Sequence, residues 1–116
     1  MKIKQERLAN IIYRNLAEII QFKLNDPDVG LITITEVKVT GDLSVAKVFY
    51  VVHGNQFQKD RCLKALIRAK GFIRSELAQH LSTYKTPDLK FIYDDNLDKA
   101  NRIEELIKQA NKKTTD

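Results

Sequence analysis

Among its 116 residues the chain has one cysteine, two prolines and four glycines. A lone Cys62 excludes an intramolecular disulfide framework and a thiolate zinc cluster. It also places the protein in a reducing compartment, the cytoplasm. So little glycine and proline leaves small scope for long irregular loops. No apolar run approaches the roughly 20 residues needed to cross a bilayer, and residues 1–7 form an acidic-basic amphipathic segment with no signal-peptide core. The chain contains no Gly-rich phosphate loop, H-E-x-x-H pair or dinucleotide fingerprint. Its two histidines, His53 and His80, fall at a strand end and in a helix, where surface or capping roles suit them. Cys62 lies on the apolar side of its helix and reads as a small buried hydrophobe. Asp94-Asp95 suits a helix cap better than a magnesium site. These absences describe a protein that is not an enzyme and needs no cofactor or metal.

What the chain does have is a concentrated positive charge. Lys59, Arg61, Lys64, Arg68, Lys70 and Arg74 face only Asp60 within residues 59–74, a net of +5 from six basic and one acidic residue. The other 14 basic and 14 acidic residues cancel. Arg61, Lys64 and Arg68, spaced i, i+3, i+7, fall within a sector of roughly 60° on a helix. Such a face is often simply solvated. Here, however, the local sequence supplies one acid where i,i+4 pairing would need several, and unpaired like charges repel. An external polyanion is the expected partner.

The hydrophobic pattern sets the frame. Residues 2–24 read as a helix whose apolar face holds Leu8, Ile11, Ile12, Leu16, Ile19, Ile20 and Leu24. Asn25-Asp26-Pro27-Asp28 ends it, since Pro27 lacks an amide hydrogen. Residues 31–40 read as a strand whose alternation slips near Thr35-Glu36, which a bulge there or burial of both faces would account for. After a Thr40-Gly41-Asp42 turn, residues 45–53 form a second strand, apolar on both faces and therefore central or covered on both sides. Asn55 and Gln58 resemble a capping box for the next helix. A short strand at residues 89–93 and a last helix with Leu97, Ala100, Ile103, Leu106, Ile107 and Ala110 on its stripe complete the order. The fold class is α+β, with helices on one face of a three-stranded sheet. One domain spans residues 1–110, and 111–116 form a polar tail expected to fray.

Residues 56–81 keep helical periodicity but not as one rod. Leu63, Leu66 and Ile67 centre the apolar face before Ala69; Ile73, Leu77 and Leu81 centre it after Gly71. In a continuous helix Lys70 would project into that stripe, and burying its ammonium group costs several kcal/mol. A kink at Ala69-Lys70-Gly71 that swings Lys70 outward resolves the conflict, with Gly71 as the local helix breaker. The patch then comprises Arg61, Lys64, Arg68, Lys70, Gly71 and Arg74, with the second helix's N-terminus able to face a phosphate. Aromatics contribute less. Phe49, Tyr50 and Tyr93 suit core packing, while Phe72 falls off the stripe beside the kink. Strong phosphate contact with weak stacking favours reading RNA by shape.

Strand, helix, short break, helix, strand, preceded by a helix and a strand, resembles the type II KH arrangement, although no G-x-x-G tetrad is present. The chain carries Asp26-Pro27, Thr33-Ile34-Thr35-Glu36-Val37-Lys38-Val39, Asp42-Leu43 and Ala46-Lys47-Val48-Phe49-Tyr50-Val51. It continues with Gly71-Phe72-Ile73-Arg74-Ser75-Glu76-Leu77, Pro87-Asp88-Leu89-Lys90-Phe91, Asp94-Asp95 and Arg102-Ile103-Glu104-Glu105-Leu106, in order over about residues 6–108. These stretches carry a resemblance to the ribosome-binding factor A family of bacterial small-subunit assembly factors. It implies an Ala-x-Gly kink in place of G-x-x-G and binding to free small (30S) ribosomal subunits late in maturation. It further implies contact near the 5′-terminal helix of 16S ribosomal RNA and support for processing of its precursor. Two stretches depart from the family pattern: Asp28 stands where a basic or neutral residue is usual, and Ser82-Thr83-Tyr84-Lys85-Thr86 carries a single basic residue. The expected partner is the small subunit and its RNA, with no membrane, no small-molecule substrate and no demand for an oligomer. The rivals are a general KH-type nucleic-acid module unconnected with ribosomes, and a protein-interaction domain for an acidic partner.

Overall fold

The computed structural model describes residues 2–30, 32–82 and 84–96. Helix α1 spans Lys2–Glu18 and passes into a π-helical turn, Ile19–Lys23, closed by the Leu24 amide donating to the Ile19 carbonyl at 2.8 Å. Leu8, Ile12, Leu16, Ile19 and Ile20 are buried, while Ile11 and Leu24 pack at the margin of the core. The turn after Pro27 is fixed by the Asp28 amide donating to the Asp26 carboxylate at 3.0 Å. Gly30 then sits at φ +60°, a left-handed conformation open to glycine without a Cβ penalty.

Strands β1 (Ile32–Val39) and β2 (Val45–Val52) pair antiparallel, and β3 (Asp88–Tyr93) adds to β2 in parallel, giving the order β1-β2-β3. The expected bulge is present: Ile34 faces Tyr50 and Glu36 faces Phe49, leaving Thr35 without a partner residue. The slip turns Ile34, Val37 and Val39 all toward the core. β2 is central, and its two faces differ. Ala46, Val48, Tyr50 and Val52 are buried; Val45, Phe49 and Val51 are half-buried and Lys47 is exposed. Being central, rather than being covered on both sides, accounts for its apolar composition.

Helices α2 (Gln56–Arg68) and α3 (Lys70–Ala78) pack with α1 on the inner face. The capping box is formed: the Gln58 amide donates to the Asn55 side chain at 2.9 Å, and the Asn55 amide donates to the Gln58 side chain at 2.8 Å. Cys62, Ala65, Leu66, Ile73 and Leu77 are fully buried from these two helices. Each of the larger side chains contributes on the order of 1.5–3 kcal/mol.

The helix breaks where its sequence demands, with three corrections. The residue that leaves helical geometry is Ala69, at φ −88° and ψ 0°, and Gly71 lies inside α3. Ile67 is 57% exposed, because the buried face of α2 runs through Cys62, Ala65 and Leu66 and Ile67 lies well round the helix from it. α3 ends at Ala78 rather than 81, although Leu81 is still buried, and Ser82 turns the chain at φ 54°. The described order is α-β-β-α-(kink)-α-β, as in the type II KH arrangement. The last helix expected from Leu97 to Ala110 and the tail at 111–116 lie outside the described residues.

Candidate nucleic-acid interface

α2 presents Arg61, Lys64 and Arg68 on its exposed side, as their spacing predicts. Two of them are not unpaired. The Arg61 guanidinium donates to the Asp28 carboxylate, and Arg68 Nη2 donates to Asp26 Oδ2 at 2.9 Å and lies 3.6 Å from Asp28 Oδ2. The turn after α1 thus supplies the acids that the local sequence withholds. Counting i,i+4 partners cannot detect a pairing across 33 or 42 residues. The Asp28 amide and then the Arg68 guanidinium hold the Asp26 carboxyl below its ordinary pKa. Lys64 has no ion pair among the described residues, and both arginines keep more than half of their side-chain surface open to solvent.

At the break, the chain restarts as a helix at Lys70. The amides of Lys70, Gly71 and Phe72 form the first turn of α3 and have no partner within it. The Ile73 amide closes that turn on the Ala69 carbonyl at 2.9 Å. A methyl group placed on Gly71 would meet nothing within 4 Å, so its bare backbone faces open space. Lys70 escapes the core but is not fully extended into solvent. Its side chain is 33% exposed and its ammonium lies 3.7 Å from Asp88 at the start of β3. Arg74 turns toward the segment before β3, donating from Nε to the Pro87 carbonyl at 3.1 Å and from Nη2 to the Thr86 carbonyl at 3.0 Å. Its hydrogen bonds hold that loop, and its charge has no carboxylate counterpart among the described residues. Arg61, Lys64 and Arg68 therefore form one face, Lys70 and Gly71 the first turn after the break at Ala69, and Arg74 a brace under the following loop.

Phe57 belongs to the same stripe and was not singled out in the sequence. It precedes Arg61 by one i,i+4 step, is 66% exposed, and its ring centroid lies 5.4 Å from the Arg61 guanidinium carbon. Extending the helical spacing one turn back would have found it. Phe72 is also exposed, whereas Tyr50 is buried and meets Tyr93 edge-to-face at 5.7 Å. Burial pushes the Tyr50 hydroxyl up to about 12 and the Cys62 thiol up to about 11, which keeps both neutral and the thiol unreactive. Asp94 accepts from the Thr35 hydroxyl at 2.6 Å and from the Asn96 amide at 3.1 Å, and these bonds lower its pKa. Among the described residues no cluster of histidine, cysteine and acidic groups is suited to a metal, and no helix is long and apolar enough to cross a membrane.

Comparison with known proteins adds an independent line. The family model for ribosome-binding factor A matches residues 4–107. A ribosome-binding factor A from Macrococcus caseolyticus is 42% identical over 112 residues, covering 97% of this chain and 98% of that protein. The crystal structure of ribosome-binding factor A from Thermus thermophilus superposes with a TM-score of 0.68 at 30% identity, over 77% of this chain and 94% of that one. A Thermus thermophilus homology model fitted into a cryo-EM map of a 30S complex with that factor gives 0.61 at 31% identity, over 72% and 88% of the two chains.

Proposed function

Because the chain belongs to the ribosome-binding factor A family, we propose that it is a non-enzymatic RNA-binding assembly factor. In this reading it associates in the cytoplasm, as a monomer, with free small ribosomal subunits. There it assists late maturation and processing of 16S ribosomal RNA near the 5′-terminal helix. The fitted 30S complex of the Thermus thermophilus relative supports the partner. The observation that carries the RNA-contacting role is the exposed row Phe57, Arg61, Lys64 and Arg68 running into a helix break whose Gly71 backbone is bare.

The chemistry follows from that row. Arginine forks suit phosphate oxygens, and Lys64 adds a point charge between them. The amides opening α3 carry the positive end of its dipole toward an approaching phosphate, which the missing side chain at position 71 lets come close. Phe57 adds one stacking face at the end of a surface that otherwise reads backbone shape. Each phosphate neutralised contributes about −0.7 to −0.9 to the logarithmic salt slope, values set by DNA.

Sedimentation through a ribosome gradient at two salt concentrations tests the reading. The protein is expected to travel with free small subunits at low salt and to leave them as salt rises, and R61Q/K64Q/R68Q is expected to remain at the top. Equal binding to arbitrary RNA with no preference for small subunits would replace the assembly role by a general RNA module. Persistence of the triple variant on subunits with unchanged salt dependence would remove α2 from the interface.

A further inference from the structure

The sheet register aligns three lysines that lie far apart in the sequence. Lys38 on β1 faces Lys47 on β2, and Lys47 faces Lys90 on β3. All three are exposed, on the side of the sheet opposite the buried Val37, Val39, Ala46, Val48 and Leu89. With strands about 4.8 Å apart, the row is straight and about 10 Å long at the backbone. Lys47 and Lys90 make no ion pair among the described residues. Lys38 lies 3.9 Å from Glu36 and 5.6 Å from the Phe49 ring centre. Asp88, two residues before Lys90 on β3, has its carboxylate 3.7 Å from Lys70.

Like charges placed directly opposite one another weaken a sheet. Lysines that protect a sheet from aggregation belong on its edges, yet Lys47 stands on the central strand. Lys38 and Lys90 can serve as edge protection on β1 and β3, but Lys47 between them works against the fold and serves no edge. From this we infer that the outer sheet face is a second RNA-binding site, taking the phosphates that border the shallow groove of an A-form RNA stem. An open sheet face with a line of flexible ammonium groups fits that wide, shallow groove, which is read through backbone and 2′-hydroxyl contacts. Since α2 lies across the core from this row, the protein grips two RNA segments at once and fixes their relative position. The inference rests on the RNA-binding reading of the α2 face and adds a partner on the opposite side.

The test uses the full chain and a fluorescent RNA hairpin with a long stem, titrated across a salt series, with stoichiometry from native mass spectrometry. Wild type is expected to take up two stems. K38Q/K47Q/K90Q is expected to take up one, with the logarithmic salt slope less negative by about 2.1–2.7, as three contacts at about −0.7 to −0.9 each imply. Its thermal melt is expected to match or exceed that of wild type, because only exposed charges are removed. A wild-type slope and two stems bound by this variant would overturn the second site, leaving the α2 reading intact if R61Q/K64Q/R68Q has lost its share. The reverse pattern, loss in the sheet variant alone, would keep the lysine row and sink the α2 reading.

Discussion

The two cationic surfaces are built in opposite ways. On α2, Arg61 and Arg68 are dense in sequence but are held by Asp26 and Asp28 from the preceding turn. On the sheet, Lys38, Lys47 and Lys90 are scattered in sequence, yet the register sets them side by side, and among the described residues only Lys38 of the three has an ion pair. Residues 59–74 contain the whole net charge of the chain by arithmetic. The free charge is distributed otherwise. Net charge along a sequence locates an excess; folding decides which members of it are already neutralised.

The largest effect that separates the two surfaces is expected at Gly71. Ala fits the helical backbone there and meets no neighbouring atom. Gly71→Ala should leave stability unchanged or raise it by about 0.4–1 kcal/mol through the unfolded state. The added methyl occupies the space through which a phosphate reaches the first turn of α3. RNA affinity should fall about tenfold, roughly 1.4 kcal/mol, with no change at the sheet row. Urea melts and anisotropy titrations on one preparation check both halves. A variant that loses stability and affinity in proportion would make Gly71 a structural residue.

How far the sequence reaches is clearest at the break. Lys70 within an apolar stripe forced a kink, and periodicity placed it within two residues of Ala69. The bulge at Thr35, the central place of β2 and the Asn55–Gln58 cap were legible for the same reason: each is a local pattern. Asp26 and Asp28 clasping the α2 arginines was not legible, because it depends on where the α1–β1 turn lands in space. Nor was the lysine row. Lys38 and Lys47 are nine residues apart across a hairpin, and Lys90 joins only through a parallel crossover whose register no single stretch encodes. Phe57 lay within reach, one helical turn before Arg61, and its exposure settled what spacing only allowed.

A smaller effect in the opposite direction is expected at the acidic turn. Asp26 and Asp28 occupy the positions on Arg61 and Arg68 that phosphate oxygens would take. D26N/D28N should bind RNA about threefold tighter, since no carboxylate need be displaced, and the gain should vanish in the R61Q/K64Q/R68Q background. The Asp26 carboxyl has a lowered pKa in the folded state. Its contribution is therefore present above the ordinary carboxylate value near 3.9 and is lost as pH falls through the lower folded value. Asp26→Asn should flatten that acid limb by lowering stability in the neutral region, and leave the low-pH region in place. A weaker RNA affinity in D26N/D28N would instead make the clasp a means of orienting the arginines.

The smallest expected effect is at Lys47, and it carries the comparison furthest. Lys47 has a lysine opposite it on both neighbouring strands, so replacing it relieves two like-charge contacts at once. Thr suits a central strand, being β-branched and small. Lys47→Thr should stabilise the protein by about 0.2–1 kcal/mol in low salt. That gain should shrink as screening shortens the Debye length from roughly 10 Å at 0.1 M to about 3 Å at 1 M. The equivalent exchange on α2, Lys64→Thr, removes a residue with no ion pair among the described residues and no lysine directly opposite. With Arg61 and Arg68 already held by Asp28 and Asp26, it should bring a smaller salt-dependent gain, offset by a few tenths of a kcal/mol of lost helix propensity. If urea denaturation finds Lys47→Thr no more stable than wild type at low salt, the row carries no strain. Its persistence on the central strand would then call for no ligand at all.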